Sequence, residues 1–330
     1  MSTATTEQPP GPPLRTRRIR ALTLWAVGFV AWSFLLGLPA TDPILAFGWL
    51  WLLTIAWRVG QPWKVHLGFA RDWAPVAGLL LVYNLSRGFA DNGAVPHAYE
   101  LIYFDKWMFG GHVPTLWLQE RFYDPDRLFW WDVVASWVYF SHFVVAFAIA
   151  VVLWLRDRRR WAKFVRRWFA LCLAGLITYF LYPAAPPWWA GKFGLLPEVA
   201  RISTRGWRAI GLHGAGNVLN AGQIASNPVA AMPSLHTAFA LLAVAFFLDR
   251  VRKRWWPVLA LYPLAMTATL VYCGEHYIID VLVGWVYVGF VFLVVGLAER
   301  WWSARRRRAE PTSAQEEPDP VPAGPLAGDI

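Results

Sequence analysis

Gly274-Glu275-His276-Tyr277-Ile278-Ile279-Asp280 opens an apolar run that lasts to Ala298, and Ala231-Met232-Pro233-Ser234-Leu235-His236 opens another that lasts to Leu248. Titratable side chains at the mouth of a membrane-length run are costly and usually serve a purpose. Working outward, apolar residues fall in blocks of about 17 to 25, the length that crosses a hydrocarbon core. Of the 330 residues, 57% are hydrophobic and 16% charged, whereas a soluble globule carries about 25% charged residues. The fold class is therefore all-α, a polytopic membrane helical bundle. The 23 Trp suit that reading, because indoles collect at the two membrane interfaces.

About eight transmembrane helices are expected, near residues 21–40, 43–57, 73–89, 128–155, 164–182, 234–248, 257–272 and 277–298. The first run is longer than the ~7–15-residue apolar region of a signal peptide and reads as a span. The organisation is then a basic cytoplasmic tail (1–20), two N-terminal helices (21–71), a six-helix core (72–299) and a disordered cytoplasmic tail (300–330). That last stretch is Arg-rich and then Pro- and Glu-rich.

Lys and Arg set the orientation. With the N-terminus inside, 23 of the 31 basic residues lie on inner segments and 8 outside: Arg87, Lys106, Arg121, Arg127, Lys192, Arg201, Arg205 and Arg208. Both termini are then cytoplasmic. The sixth and eighth helices both start at the outer face, which puts His236 and His276 at one level beside the long loops 90–127 and 183–233. On antiparallel spans they would lie about 30 Å apart. The net charge of +10 punctuates apolar runs. It forms no basic patch interleaved with exposed aromatics, which argues against nucleic acid. Cys172 and Cys273 make neither a disulfide framework nor a metal spacing.

His276 and Asp280 are four positions apart, so on a helix they share one face. A carboxylate there fixes one imidazole nitrogen as donor and leaves the other free to attack. His236, from another helix, suits the general acid. Pro233 and Ser234 suit a first helical turn, whose free N–H groups seat a phosphate.

These residues resemble the type 2 phosphatidic acid phosphatase superfamily. Its Pro-Ser-x-His second motif is matched by Pro233, Ser234 and His236, and its His-x-x-x-Asp third motif by His276 and Asp280, with Gly274 also in place. The likeness covers roughly residues 72–299, making the core a lipid phosphatase/phosphotransferase-like one. It implies that His276 is the nucleophile, Asp280 its orienting carboxylate and His236 the acid, with no metal and no cofactor. The family's first motif, a Lys and an Arg-Pro seven residues later, is absent. Tyr182-Pro183-Ala184-Ala185-Pro186-Pro187-Trp188 stands in its place. Thr269-Leu270 replaces the Ser-Arg that opens the third motif, and Leu235 replaces Gly in the second.

This pattern is similar to the inositol phosphorylceramide synthase (inositolphosphotransferase) branch. It implies a membrane lipid phosphotransferase acting at the outer leaflet through phosphohistidine, moving an inositol-type headgroup from a lipid donor to a lipid acceptor. A lipid or prenyl (pyro)phosphate phosphatase, with water as acceptor, is the alternative. A transporter or passive membrane-interaction protein is a third reading, although the helix interiors lack the acidic pairs a midplane site uses. With the first motif missing, phosphate charge must be met elsewhere. Ser234, Arg87 and Lys192 are the chosen phosphate-binding residues, with Lys106, Arg121 and Arg127 further candidates.

Plainer roles stand beside these. Arg87 also reads as a snorkelling interface residue, and His142 as a hydrogen-bonded packing residue. Asp105 and His112 in the first outer loop suit a polar headgroup, but the plainer account is a solvated loop. Trp188 and Trp189 anchor the interface, and the cluster 156–167 sets orientation and touches anionic lipid.

Overall fold

Each apolar run is a helix, since in hydrocarbon a backbone amide finds no partner except within its own segment. The computed structural model describes residues 13–36, 43–88, 93–211, 213–224 and 227–309. In chain order the helices are α1 (Leu14–Leu36), α2 (Pro43–Trp57), α3 (Trp63–Gly88), α4 (Tyr99–Met108), α5 (Pro114–Phe122), α6 (Trp130–Arg156) and α7 (Arg158–Leu181). There follow α8 (Pro187–Lys192), α9 (Gly206–Ala209), α10 (His213–Ile224), α11 (Leu235–Ala245), α12 (Trp256–Tyr272) and α13 (Ile278–Ala309). The eight expected spans correspond to α1, α2, α3, α6, α7, α11, α12 and α13. Among the described residues, five helices are long and apolar enough to cross a membrane, and Leu45–Trp57 and Leu235–Ala245 are shorter apolar ones. The chain is an integral membrane helical bundle. The 26-residue α3 has the length to span, but Lys64, Arg71 and Asp72 load its first half.

Three expectations need correction. The sixth span is helical only over Leu235–Ala245, about 16 Å at 1.5 Å per residue. Beyond it Phe247 and Leu248 donate to carbonyls three residues back, the tightened turn that ends a helix. The stretch after Trp302 continues α13 to Ala309. Arginine is a good helix former, and Arg306, Arg307 and Arg308 lie where the helix dipole favours cations. Residues 310–330 lie outside the described residues. The basic N-terminal stretch is likewise helical from Leu14, with residues 1–12 outside the described set.

The core lies between α3, α6, α7, α11 and α13, where Trp73, Trp154, Phe164, Trp168, Leu171, Leu235, Leu242 and Val288 are buried together. Helix α1 has no buried residue and leans on α2 through Trp25, Phe29 and Trp32 around Trp49. Cys172 and Cys273 are free and buried. At the far end of α13, Arg166 and Arg167 of α7 both reach Glu299. Nineteen residues separate Glu299 from Asp280, about 28 Å of helix, so this charged end and the histidine end are opposite.

The two long connections, expected only as loops, hold five short helices packed over the mouth of the bundle. Residues 183–185 stitch them together: Ala185 donates to His97 O (2.8 Å), Ala184 to Val229 O (2.7 Å) and Ala231 back to Ala184 O (3.1 Å). The segment standing where a first motif would be thus becomes a backbone template that places the second motif. Helices α11 and α13 meet at Gly284, where an added Cβ would lie 2.6 Å from Ser234 O. Only hydrogen fits, and this contact brings the two polar helix starts side by side.

Candidate active site

Asp280 is the third residue of α13, and its Oδ2 accepts from the Tyr277 amide at 2.9 Å. This is the return half of a capping box. The same oxygen accepts from His276 Nδ1 at 3.3 Å. His276 precedes the helix, so the pair meets through the capping turn and not, as expected, along one helical face. A carboxylate only accepts, so Nδ1 carries the proton and Nε2 keeps its lone pair.

Nε2 of His276 faces His236 Nδ1 at 3.5 Å, with the rings 5.6 Å apart. His236 sits in the first turn of α11, whose cap Ser234 donates its amide to Asp280 O at 2.9 Å. Tyr179 of α7 adds a bond to Pro233 O (3.0 Å). The structure therefore brings together residues 40 and 44 positions apart. His276, Asp280 and Ser234 are buried, whereas His236 is half-exposed at the opening. Ser234 Oγ and Asp280 Oδ1 are buried without a hydrogen-bond partner among the described residues.

The wall behind His236 comes from α6, where Asp132, Ser136, Tyr139 and His142 form a stripe at helical spacing. Tyr139 stacks on His236 (5.2 Å between centroids) and His142 lies 4.1 Å from it. His142 thus packs, as expected, but against the site itself. The stripe's period was visible in the sequence. Asp132 accepts from Tyr272 OH and the Phe129 amide.

Asp105 departs most from its plain reading. It is fully buried, and its two oxygens accept the Ile278 and Ile279 amides (3.2 and 3.3 Å), capping α13 from α4. Burial raises its carboxyl to about 7 and Asp280 adds to this, while the Ile278 and Ile279 amides oppose it. His112 is exposed, as expected. The sign of the linkage is definite. As pH rises from about 4 to about 7 the unfolded chain releases this proton before the folded one, so stability falls across that window and is level above it. Thermal unfolding in detergent from pH 4 to 8 should show the wild type losing stability relative to Asp105→Asn between those limits. Parallel profiles would rule the linkage out.

Among the cations, Lys106, Arg121, Arg127 and Lys192 are exposed. Lys192 lies 5.8 Å over the Phe193 ring and Arg121 over Trp117. The Arg87 side chain lies outside the described residues. Arg201, counted before only for orientation, forms a fork on Glu275: Nε to Oε1 at 3.0 Å and Nη2 to Oε2 at 3.0 Å. Glu275 Oε1 also accepts from Ser203 Oγ (2.7 Å) and Gln223 Nε2 (3.1 Å), and Gln223 reaches Tyr139 OH (2.9 Å). Nothing in the local sequence joins Arg201 to Glu275, 74 residues on.

A buried carboxylate–imidazole pair thus faces a second imidazole at the mouth of a membrane bundle. The PAP2 superfamily matches residues 100–294, and the chain belongs to it. Its apolar helices make it an integral membrane member of that superfamily. Over 187 residues it is 29% identical to a phosphoinositol dihydroceramide synthase of Bacteroides thetaiotaomicron, a match covering 50% of this chain and 56% of that protein. The chain thus spans about half the length of this relative. No solved structure matches it.

Proposed function

We propose that the chain is a phosphotransferase that moves a phosphorylated, inositol-type headgroup between membrane lipids through a phosphohistidine at His276. The observation that carries this reading is the file Asp280–His276–His236, with Nε2 of His276 turned to the second histidine. The Nε2 lone pair forms the N–P bond as the P–O bond to the donor's lipid alcohol breaks, and His236 gives its proton to that oxygen. His236 then takes the acceptor hydroxyl's proton, the new oxygen attacks phosphorus and the N–P bond breaks. Asp280 holds the Nδ1 proton throughout. At 3.5 Å His276 Nε2 and His236 Nδ1 are closer than an in-line phosphoryl group allows, so substrate entry parts them. The α11 amides, with Ser234, face the developing charge.

The basic residues favour an outer-face site with both termini inside. Transfer is favoured over hydrolysis by the name of the Bacteroides relative and by the 183–233 connection packed over the site. Purified protein in vesicles, given a phosphoinositide labelled at phosphorus and a ceramide-type acceptor, should move label into a second lipid. Label released as a water-soluble phosphate would instead establish the phosphatase reading, which the half-exposed His236 permits.

A further inference from the structure

The superfamily resemblance leaves a charge unaccounted for, since neither first-motif cation nor third-motif Arg has a counterpart here. The groups around the histidines supply one. The stretch before Arg201 is fixed on both sides: Ala200 donates to Gln119 Oε1 (2.9 Å), Gln119 Nε2 donates to Ala200 O and Tyr272 O (2.8 Å each), and Ile202 donates to Cys273 O. The turn between α12 and α13 is moulded to it, since Gly274 has φ +74° and an added Cβ would lie 2.8 Å from Val199 Cγ1. The Arg201 guanidinium is then held between the Glu275 carboxylate and the Trp188 ring, 4.6 Å from the centroid. Trp188 is itself pinned by its amide to Gly274 O (3.0 Å).

We propose that Arg201 is the phosphate anchor of this enzyme, an outer-loop arginine standing in for the missing motif cations, with Glu275 as its positioning residue. The assignment rests on the phosphotransfer reading above. Three features support it. Glu275 is bonded to His276 through the chain, and its network runs through Gln223 to Tyr139, which stacks on His236. Arg201 therefore belongs to a network that adjoins His276 along the chain and reaches His236 through the Tyr139 ring. The bonds to Glu275 use Nε and Nη2 and leave Nη1 without a partner among the described residues. A guanidinium presents its N–H groups as a planar fork, so one edge can hold the carboxylate while another meets phosphoryl oxygens. Arg205 is turned instead toward the start of α6, where its Nη2 donates to Asp124 O and Arg127 O and its Nε lies 3.7 Å from Asp132.

Removing Arg201 alone would strand the buried Glu275 carboxylate and endanger the fold. The test therefore compares Glu275→Gln with the double variant Arg201→Gln/Glu275→Gln, so that the buried charge is absent from both. The probe is inorganic orthovanadate, a phosphoryl-transfer mimic, titrated by calorimetry into full-length protein in detergent, which needs no turnover. The double variant should bind vanadate about ten- to a hundredfold more weakly than Glu275→Gln, the loss expected for one charge-assisted contact. Equal affinities in the two would overturn the assignment, whatever their thermal stabilities. His276→Ala, assayed beside them, separates this result from the wider reading. If that variant is inactive while the affinities are equal, only the anchor is lost; if it still turns over lipid, the phosphotransfer reading falls and the anchor with it.

Discussion

His276→Ala is expected to lower turnover of every lipid phosphate substrate to below about 10⁻⁴ of wild type, the scale seen when a covalent catalyst loses its nucleophile. The fold should survive. His276 makes one side-chain bond to Asp280 and one contact to His236, while the capping bond from the Tyr277 amide and the Asp105 clamp on Ile278 and Ile279 remain. Lost activity should therefore come with near-normal thermal unfolding in detergent. The second readout is chemical. Wild type incubated briefly with labelled donor and denatured at alkaline pH, where phosphohistidine persists, should carry label on the peptide containing residue 276. The Ala variant should carry none. Label on His236 would exchange the two roles, and turnover above a hundredth of wild type would end the nucleophile assignment.

The bundle and the meeting of His236, His276 and Asp280 were legible in the sequence for one reason. Membrane helices announce themselves by length and apolarity, because hydrocarbon leaves the backbone no other choice. His236 and His276 each interrupt that signal at a helix start, where polar groups are conspicuous. What stayed hidden depends on partners distant in the chain. Asp105 looked like one solvated acid among several, and nothing before it in sequence marks a clamp on Ile278, 173 residues away. Arg201 was legible as a charge but not as a partner of Glu275. The short α11 escaped because an apolar run records composition, and Phe246–Leu248 remain apolar where the helix has already tightened into turns. The pairing of His276 with Asp280 was found on a partly wrong premise. Four residues of spacing suggested a shared helical face, whereas the capping turn brings them together.

Asp280→Asn offers the sharpest separation of structure from chemistry, since Oδ2 serves both. It caps α13 through the Tyr277 amide at 2.9 Å and holds His276 Nδ1 at 3.3 Å. An asparagine oxygen in the same place still accepts from Tyr277, so the helix start should persist. What disappears is the negative charge that keeps Nδ1 protonated and stabilises the ring when Nε2 bonds to phosphorus. An equivalent Asp-to-Asn change in the Ser-His-Asp hydrolases costs about 10⁴ in kcat. Here the expected fall is about 10² to 10⁴, with KM within a few-fold of wild type, because Asp280 is buried behind His276. Rapid-quench measurement should place the loss in formation of the labelled enzyme and not in lipid binding. Asp280 has a further oxygen, Oδ1, buried without a partner among the described residues, and the Asn amide placed there would leave a donor unsatisfied at about 1–3 kcal/mol. A modest drop in unfolding temperature is thus compatible with the assignment. A variant that unfolds like wild type and keeps kcat within threefold would show that Asp280 serves the helix alone, leaving the orientation of His276 to other contacts.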